Sequence, residues 1–102
     1  MRATLDRPRS EPTARTACVV GIDVAATHLD LHVHPTGTAW RVPNDAAGHA
    51  AVVTALTPLA PSRIVLEASG GYERALTMAL TAAALPVVVV NPRQVRAFAK
   101  SI

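Results

Sequence analysis

Two acidic residues stand where an apolar chain has little reason to place them. Asp23 lies near the end of Cys18–Val24, C-V-V-G-I-D-V, and Glu67 ends Ser62–Glu67, S-R-I-V-L-E. Both runs are rich in Val, Ile and Leu, which favour a pleated strand, and the first reads as a central strand buried on both faces. A carboxylate there is costly unless a cation or hydrogen bonds compensate it. Two carboxylates brought side by side can share Mg²⁺ or Mn²⁺, and a pair of such ions can clamp the attacking and leaving oxygens of a phosphoryl transfer. The plainer explanation is structural: Glu67 caps the next helix or pairs with an arginine, and Asp23 closes a turn.

Further residues could serve the same chemistry. Gly70-Gly71 precede a helix, where backbone N–H groups and the positive end of the dipole can receive a phosphate; an ordinary tight turn explains them equally well. Tyr72 can stack on a base or pack under a sheet, and packing is the favoured expectation. Arg93, Arg96 and Lys100 lie on one short helical stretch and either line a nucleic-acid groove or are surface charge. His28, Asp30, His32 and His34 alternate strictly with Leu29, Leu31 and Val33. Same-face residues on one strand stand about 6.5–7 Å apart, too far for three to close round one ion, so this reads as a solvated strand face.

The elements that must position these residues follow from periodicity. After the first strand, Ala25-Ala26-Thr27 leads into the alternating strand 28–34, Pro35-Thr36-Gly37 turns the chain, and Thr38–Val42 returns. Connections this short imply an antiparallel meander of three strands. Pro43-Asn44-Asp45 signals a helix start with Asn44 or Asp45 as cap. An alanine-rich helix carries Val52, Val53 and Leu56 on one stripe and ends by Pro58. After the second acidic strand, Tyr72–Ala84 reads as a helix with Leu76, Met78, Leu80 and Ala83 available for packing. Val87–Val90 is a last apolar strand, followed by Asn91-Pro92 and a helix beginning R-Q-V-R-A-F-A-K.

The resulting order is β-β-β-α-β-α-β-α. Right-handed β-α-β crossovers make the first, fourth and fifth strands parallel neighbours. The expected fold class is α/β, a five-stranded mixed sheet of order 3-2-1-4-5, the ribonuclease-H-like arrangement. It brings Asp23 and Glu67 to the same sheet edge on adjacent strands; topology pairs them, not their spacing.

G-I-D-V-A-A-T-H-L-D at 21–30, the Asn44 connection, V-L-E-A-S-G-G-Y-E at 65–73 and V-V-V-V-N-P-R-Q-V-R-A-F-A-K at 87–100 resemble the N-terminal domain of the DEDD-type insertion-sequence transposases. That family has a RuvC-like, ribonuclease-H-fold nuclease domain and is similar to the bridge-RNA-guided recombinases. The resemblance covers residues 18–102. It implies DNA transposition or recombination by metal-dependent strand cleavage and transfer, with Asp23 as the first acid, Glu67 as the second and Mg²⁺ or Mn²⁺ as cofactor. It implies DNA as partner, with a guide RNA as a further candidate. It also places a D-x-x-D pair and a serine-bearing C-terminal domain downstream, so the chain is expected to be the front part of such an enzyme. Two other readings stay open. One is a non-catalytic remnant that keeps nucleic-acid or subunit contacts. The other is an ATPase or sugar-kinase-like lobe, against which Val24-Ala25-Ala26 counts, since such lobes place Gly and Thr after the G-I-D.

Composition sets the outer limits. The chain has 102 residues, half of them apolar but only three aromatic, so its core must be built from Ala, Val and Leu. This suits one domain, expected over 18–102, with residues 1–17 a disordered arm. A formal charge of +3 permits nucleic-acid contact without establishing it. The lone Cys18 excludes an intrachain disulfide and fits a reducing cytoplasm. No apolar run approaches the ~18 residues of a membrane helix. Val87–Val90, an apolar edge strand, leads us to expect self-association or docking of a C-terminal part.

Overall fold

A computed structural model describes residues 18–68 and 70–91. Strand β1 spans Val19–Val24, β2 His28–His34, β3 Ala39–Pro43, β4 Arg63–Glu67 and β5 Val87–Val90. Helix α1 is Ala46–Leu56, extended by a 3₁₀ turn at Thr57–Leu59, and helix α2 is Arg74–Ala82. The strands form one sheet in the order β3-β2-β1-β4-β5. β1 runs antiparallel to β2 and β2 to β3, whereas β4 is parallel to both β1 and β5. This is the expected mixed sheet, built as the short turns and helical crossovers require.

Register decides which side chains meet. Ile22 stands opposite Leu31 on one side and Leu66 on the other, and Val20 opposite Val33 and Ile64. Residues so paired share a face. That face is covered by Val52 and Leu56 of α1 and by Leu76 and Leu80 of α2. Among the described residues the eleven buried hydrophobic ones are all Val, Leu or Ile, and Trp40 packs on them from β3. Gly48 sets the seat of α1, because a Cβ there would fall on the carbonyl of Pro43. Asp45 caps the helix by accepting from the Gly48 N–H at 2.8 Å.

Four expectations change. β1 is not buried on both faces: the Asp23 side chain is 77 % exposed, so the desolvation penalty that singled it out does not arise. Helix α2 begins at Arg74 rather than Tyr72, because Gly70 and Gly71 take φ of 63° and 95° and carry the chain through a turn first. Tyr72 in that turn is 54 % exposed instead of packed. Met78 is 72 % exposed; it lies two residues from both Leu76 and Leu80, which puts it on the opposite side of the helix. The arm over residues 1–17 and the stretch carrying Arg93, Arg96 and Lys100 lie outside the described residues. Among the described residues no helix is long and apolar enough to cross a membrane.

Candidate functional site: two strand-end carboxylates

Parallel pairing of β1 and β4 runs to Ile22 opposite Leu66. Asp23 and Glu67 are the next residue on each strand. The pleat turns Ile22 and Leu66 into the core and the acids onto the other face, where both are exposed. The two acids line one depression of about 230 Å³ together with Gly21, His32, Val65 and Val90. Among the described residues nothing lies within 4 Å of where a Gly21 Cβ would stand, so this glycine leaves room beside the carboxylates rather than serving the packing.

The charges around Asp23 are arranged unequally. Asp23 stands directly opposite Asp30 on β2, a like-charge pairing that weakens a sheet. Asp30 is neutralised by Arg41 of β3, whose Nε donates to Oδ1 at 2.8 Å and whose terminal nitrogen donates to Oδ2 at 3.2 Å. Those hydrogen bonds, first in weight, hold the Asp30 carboxyl below its ordinary value of 3.8 against the opposing effect of desolvation, with the positive field of Arg41, His28 and His32 adding to them. The same bonds push the Arg41 guanidinium up. Among the described residues Asp23 has only a long contact, Oδ2 to His32 Nε2 at 3.4 Å. Asp30 is thus committed to its neighbours, while Asp23 keeps oxygen lone pairs free toward solvent.

Neither structural explanation for Glu67 holds among the described residues. The residue preceding α2 is Glu73, not Glu67, and the arginine salt bridge here belongs to Asp30. The His28–His34 face is solvent-facing as expected, yet His32 also reaches the first acid. Alternation alone did not reveal that contact; the register of the hairpin, which sets His32 opposite Gly21, does. Gly70, Gly71 and Tyr72 form the turn after β4, where the Gly71 N–H donates to Glu73 Oε1 at 3.2 Å.

A group missed from the sequence lies behind both acids. Asn44, after β3, donates through Nδ2 to the carbonyl of Ala25 at 2.9 Å and to that of Tyr72 at 3.1 Å. Its Oδ1 contacts Nε2 of the buried His49 at 2.6 Å. The available signal was a glycine and a histidine inside an alanine-rich helix start, N-D-A-A-G-H, since an interior glycine marks close backbone approach.

Residues 20–102 match the family model of the DEDD transposases of the IS110 type. The chain belongs to that transposase family. Solved structures with a similar fold include Thermus thermophilus RuvC in complex with Holliday junction substrate, at 24 % identity and a TM-score of 0.58, covering 78 % of this chain and 68 % of RuvC. A second Thermus thermophilus RuvC structure is 26 % identical with a TM-score of 0.51, covering 78 % of this chain and 64 % of the other. No curated protein matches the sequence. This transposase-family domain therefore has a RuvC-like, ribonuclease-H-like fold, as its strand order indicates. Among its described residues no three His, Cys, Asp or Glu side chains gather as a metal-binding group.

Proposed function

We propose that this chain is the N-terminal, nuclease-bearing part of a DNA transposase or recombinase, in which Asp23 and Glu67 hold Mg²⁺ or Mn²⁺ beside a DNA phosphate. The observation that carries this reading is the shared depression: two acids at the ends of adjacent parallel strands, both facing solvent. Family membership and the likeness to a nuclease-type fold solved with a branched DNA substrate support it.

The donor set fits the ion. Two carboxylates supply oxygen ligands alone, which suits a hard cation that keeps several waters and takes others of its ligands from substrate phosphate. When bound, the ion supplies Lewis-acid stabilisation of the charge that develops on the phosphoryl oxygens. The chain's own side chains do the rest. His32 steadies the Asp23 carboxylate from the β2 side. Gly21 keeps the floor clear for a phosphate. Gly70, Gly71 and the exposed Tyr72, in the turn that follows Glu67, and Arg93, Arg96 and Lys100 supply contacts to the DNA. A guide RNA and a second protomer are partners under the same proposal.

The test is binding of a branched DNA, followed by fluorescence anisotropy with and without Mn²⁺ at constant ionic strength. Mn²⁺ should tighten binding by the unmodified chain and have no such effect on Asp23→Asn or Glu67→Gln. Equal Mn²⁺ enhancement in all three would contradict the assignment. Two carboxylates bind Mg²⁺ weakly, so this chain alone should cut DNA little or not at all. Robust Mg²⁺-dependent cutting abolished by Asp23→Ala would show that no further acids are required.

A further inference from the structure

We infer that Asn44 and His49 are positioning residues for the two acids, acting as one clasp on the connections that leave β1 and β4. The inference rests on the proposed role of Asp23 and Glu67 and concerns what keeps them together. Ala25 lies two residues after Asp23, and Tyr72 lies five after Glu67. Their carbonyls are bridged by a single amide, Asn44 Nδ2, at 2.9 and 3.1 Å. The Asn44 backbone N–H also donates to the Thr27 carbonyl at 3.0 Å. One residue thereby joins the turn after the first acid to the turn after the second.

The protonation pattern is determined by the acceptors. Both amide protons of Asn44 face carbonyl oxygens, which can only accept, so Nδ2 must be the group on that side. Oδ1 then faces His49 and can only accept, so His49 Nε2 must carry a proton. A buried imidazole 8 % exposed is a costly residue on a helix that otherwise presents Val52 and Leu56. Its contact at 2.6 Å occupies one lone pair of the Asn44 amide oxygen, the third hydrogen bond of that group, and fixes its plane. Gly48 makes the reach possible by letting α1 lie against Pro43.

Strand pairing alone leaves the acids one residue past the last β1–β4 rung, Ile22 opposite Leu66, where a ladder frays most easily. The clasp lies just past that point. Without it the two connections are free to move separately, and the separation of the carboxylates is no longer set.

Amide hydrogen exchange on the full chain without metal tests the clasp directly. The reporters are Ala25, bonded to His28, Asn44, bonded to Thr27, and Arg74, bonded to Gly71; Ser62, bonded to Cys18 at the other end of the sheet, is the control. In His49→Ala the three reporters should exchange about tenfold faster together while Ser62 is unchanged, as expected for local opening. His49→Gln, which keeps a donor, should restore much of the protection. Acceleration confined to the α1 side, with Arg74 unaffected, overturns the clasp; so does equal acceleration of Ser62, which signals general destabilisation. If His49→Ala does not fold, the unmodified chain still decides: slowly exchanging Asn44 Nδ2 protons support the clasp, and exchange at the free-amide rate overturns it. A second arm titrates Mn²⁺ and follows broadening at residues 22–24 and 66–68, where His49→Ala should raise the half-effect concentration several-fold. If the unmodified chain shows no Mn²⁺ broadening, the metal reading fails, and the exchange result still judges the clasp.

Discussion

Asp23 is held where it weakens the sheet, and the proposed metal-binding role supplies a reason for that which folding does not. It opposes Asp30 across an antiparallel rung, and its only described contact is the long one to His32. Asp23→Asn should therefore melt no lower than the unmodified chain, since it removes a like-charge opposition without emptying a buried site; a clearly lower melting temperature would show a structural role. Asp30 behaves oppositely. Its folded carboxyl lies below the ordinary 3.8 because Arg41 hydrogen-bonds the charged form. A carboxyl more acidic when folded contributes stability above its unfolded value, and that contribution is lost as pH falls through the folded value. NMR titration of Arg41→Ala should find the Asp30 pKa raised toward the ordinary value, and an unchanged pKa would remove Arg41 as the cause. The sequence made the two acids visible because each ends an apolar run. It did not show that Asp30 is committed to Arg41 while Asp23 is not, since that depends on a cross-strand register which alternation leaves open.

Strands were easier to read than helix ends. Strict alternation over 28–34 and the apolar run over 62–67 identified β2 and β4, and Leu29, Leu31, Val33, Ile64 and Leu66 are all buried. The start of α2 was misplaced because two glycines at positive φ delay it, and helical periodicity does not mark the first residue of a helix. Its end carries Ala84 at φ 61°, beside the Leu85 N–H bonded to Leu80. A left-handed residue at this place favours glycine, so Ala84→Gly should stabilise the domain by about 0.5 kcal/mol in chemical denaturation. Gly48→Ala should act the other way. Its methyl would meet backbone rather than a yielding side chain, and a loss of about 1–3 kcal/mol is expected for overpacking. An unchanged midpoint for Gly48→Ala would show that α1 can shift off Pro43 at no cost.

At the scale of the molecule, a sheet with helices on one described face exposes Asp23 and Glu67 on the other. The topology was legible because short turns force a meander and longer helical connections force parallel crossovers. The site was legible only through that topology, since acids 44 positions apart carry no pairing signal of their own. The sheet's outer strand β5 leaves Val88 and Val89 nearly half exposed, the kind of edge that pairs with another chain. Sedimentation over a concentration series should show self-association that Val88→Lys reduces; a clean monomer at high concentration would contradict it. The central claim is that Asp23 and Glu67 form one cation site. Its most direct test is a Mn²⁺ titration of the ¹⁵N-labelled full chain, following paramagnetic broadening along both strands. Amides around Asp23 and Glu67 should broaden together, at the same Mn²⁺ concentration, and either Asp23→Asn or Glu67→Gln should abolish both effects. Broadening at the two strand ends with separate midpoints, each lost only with its own acid, would contradict that claim.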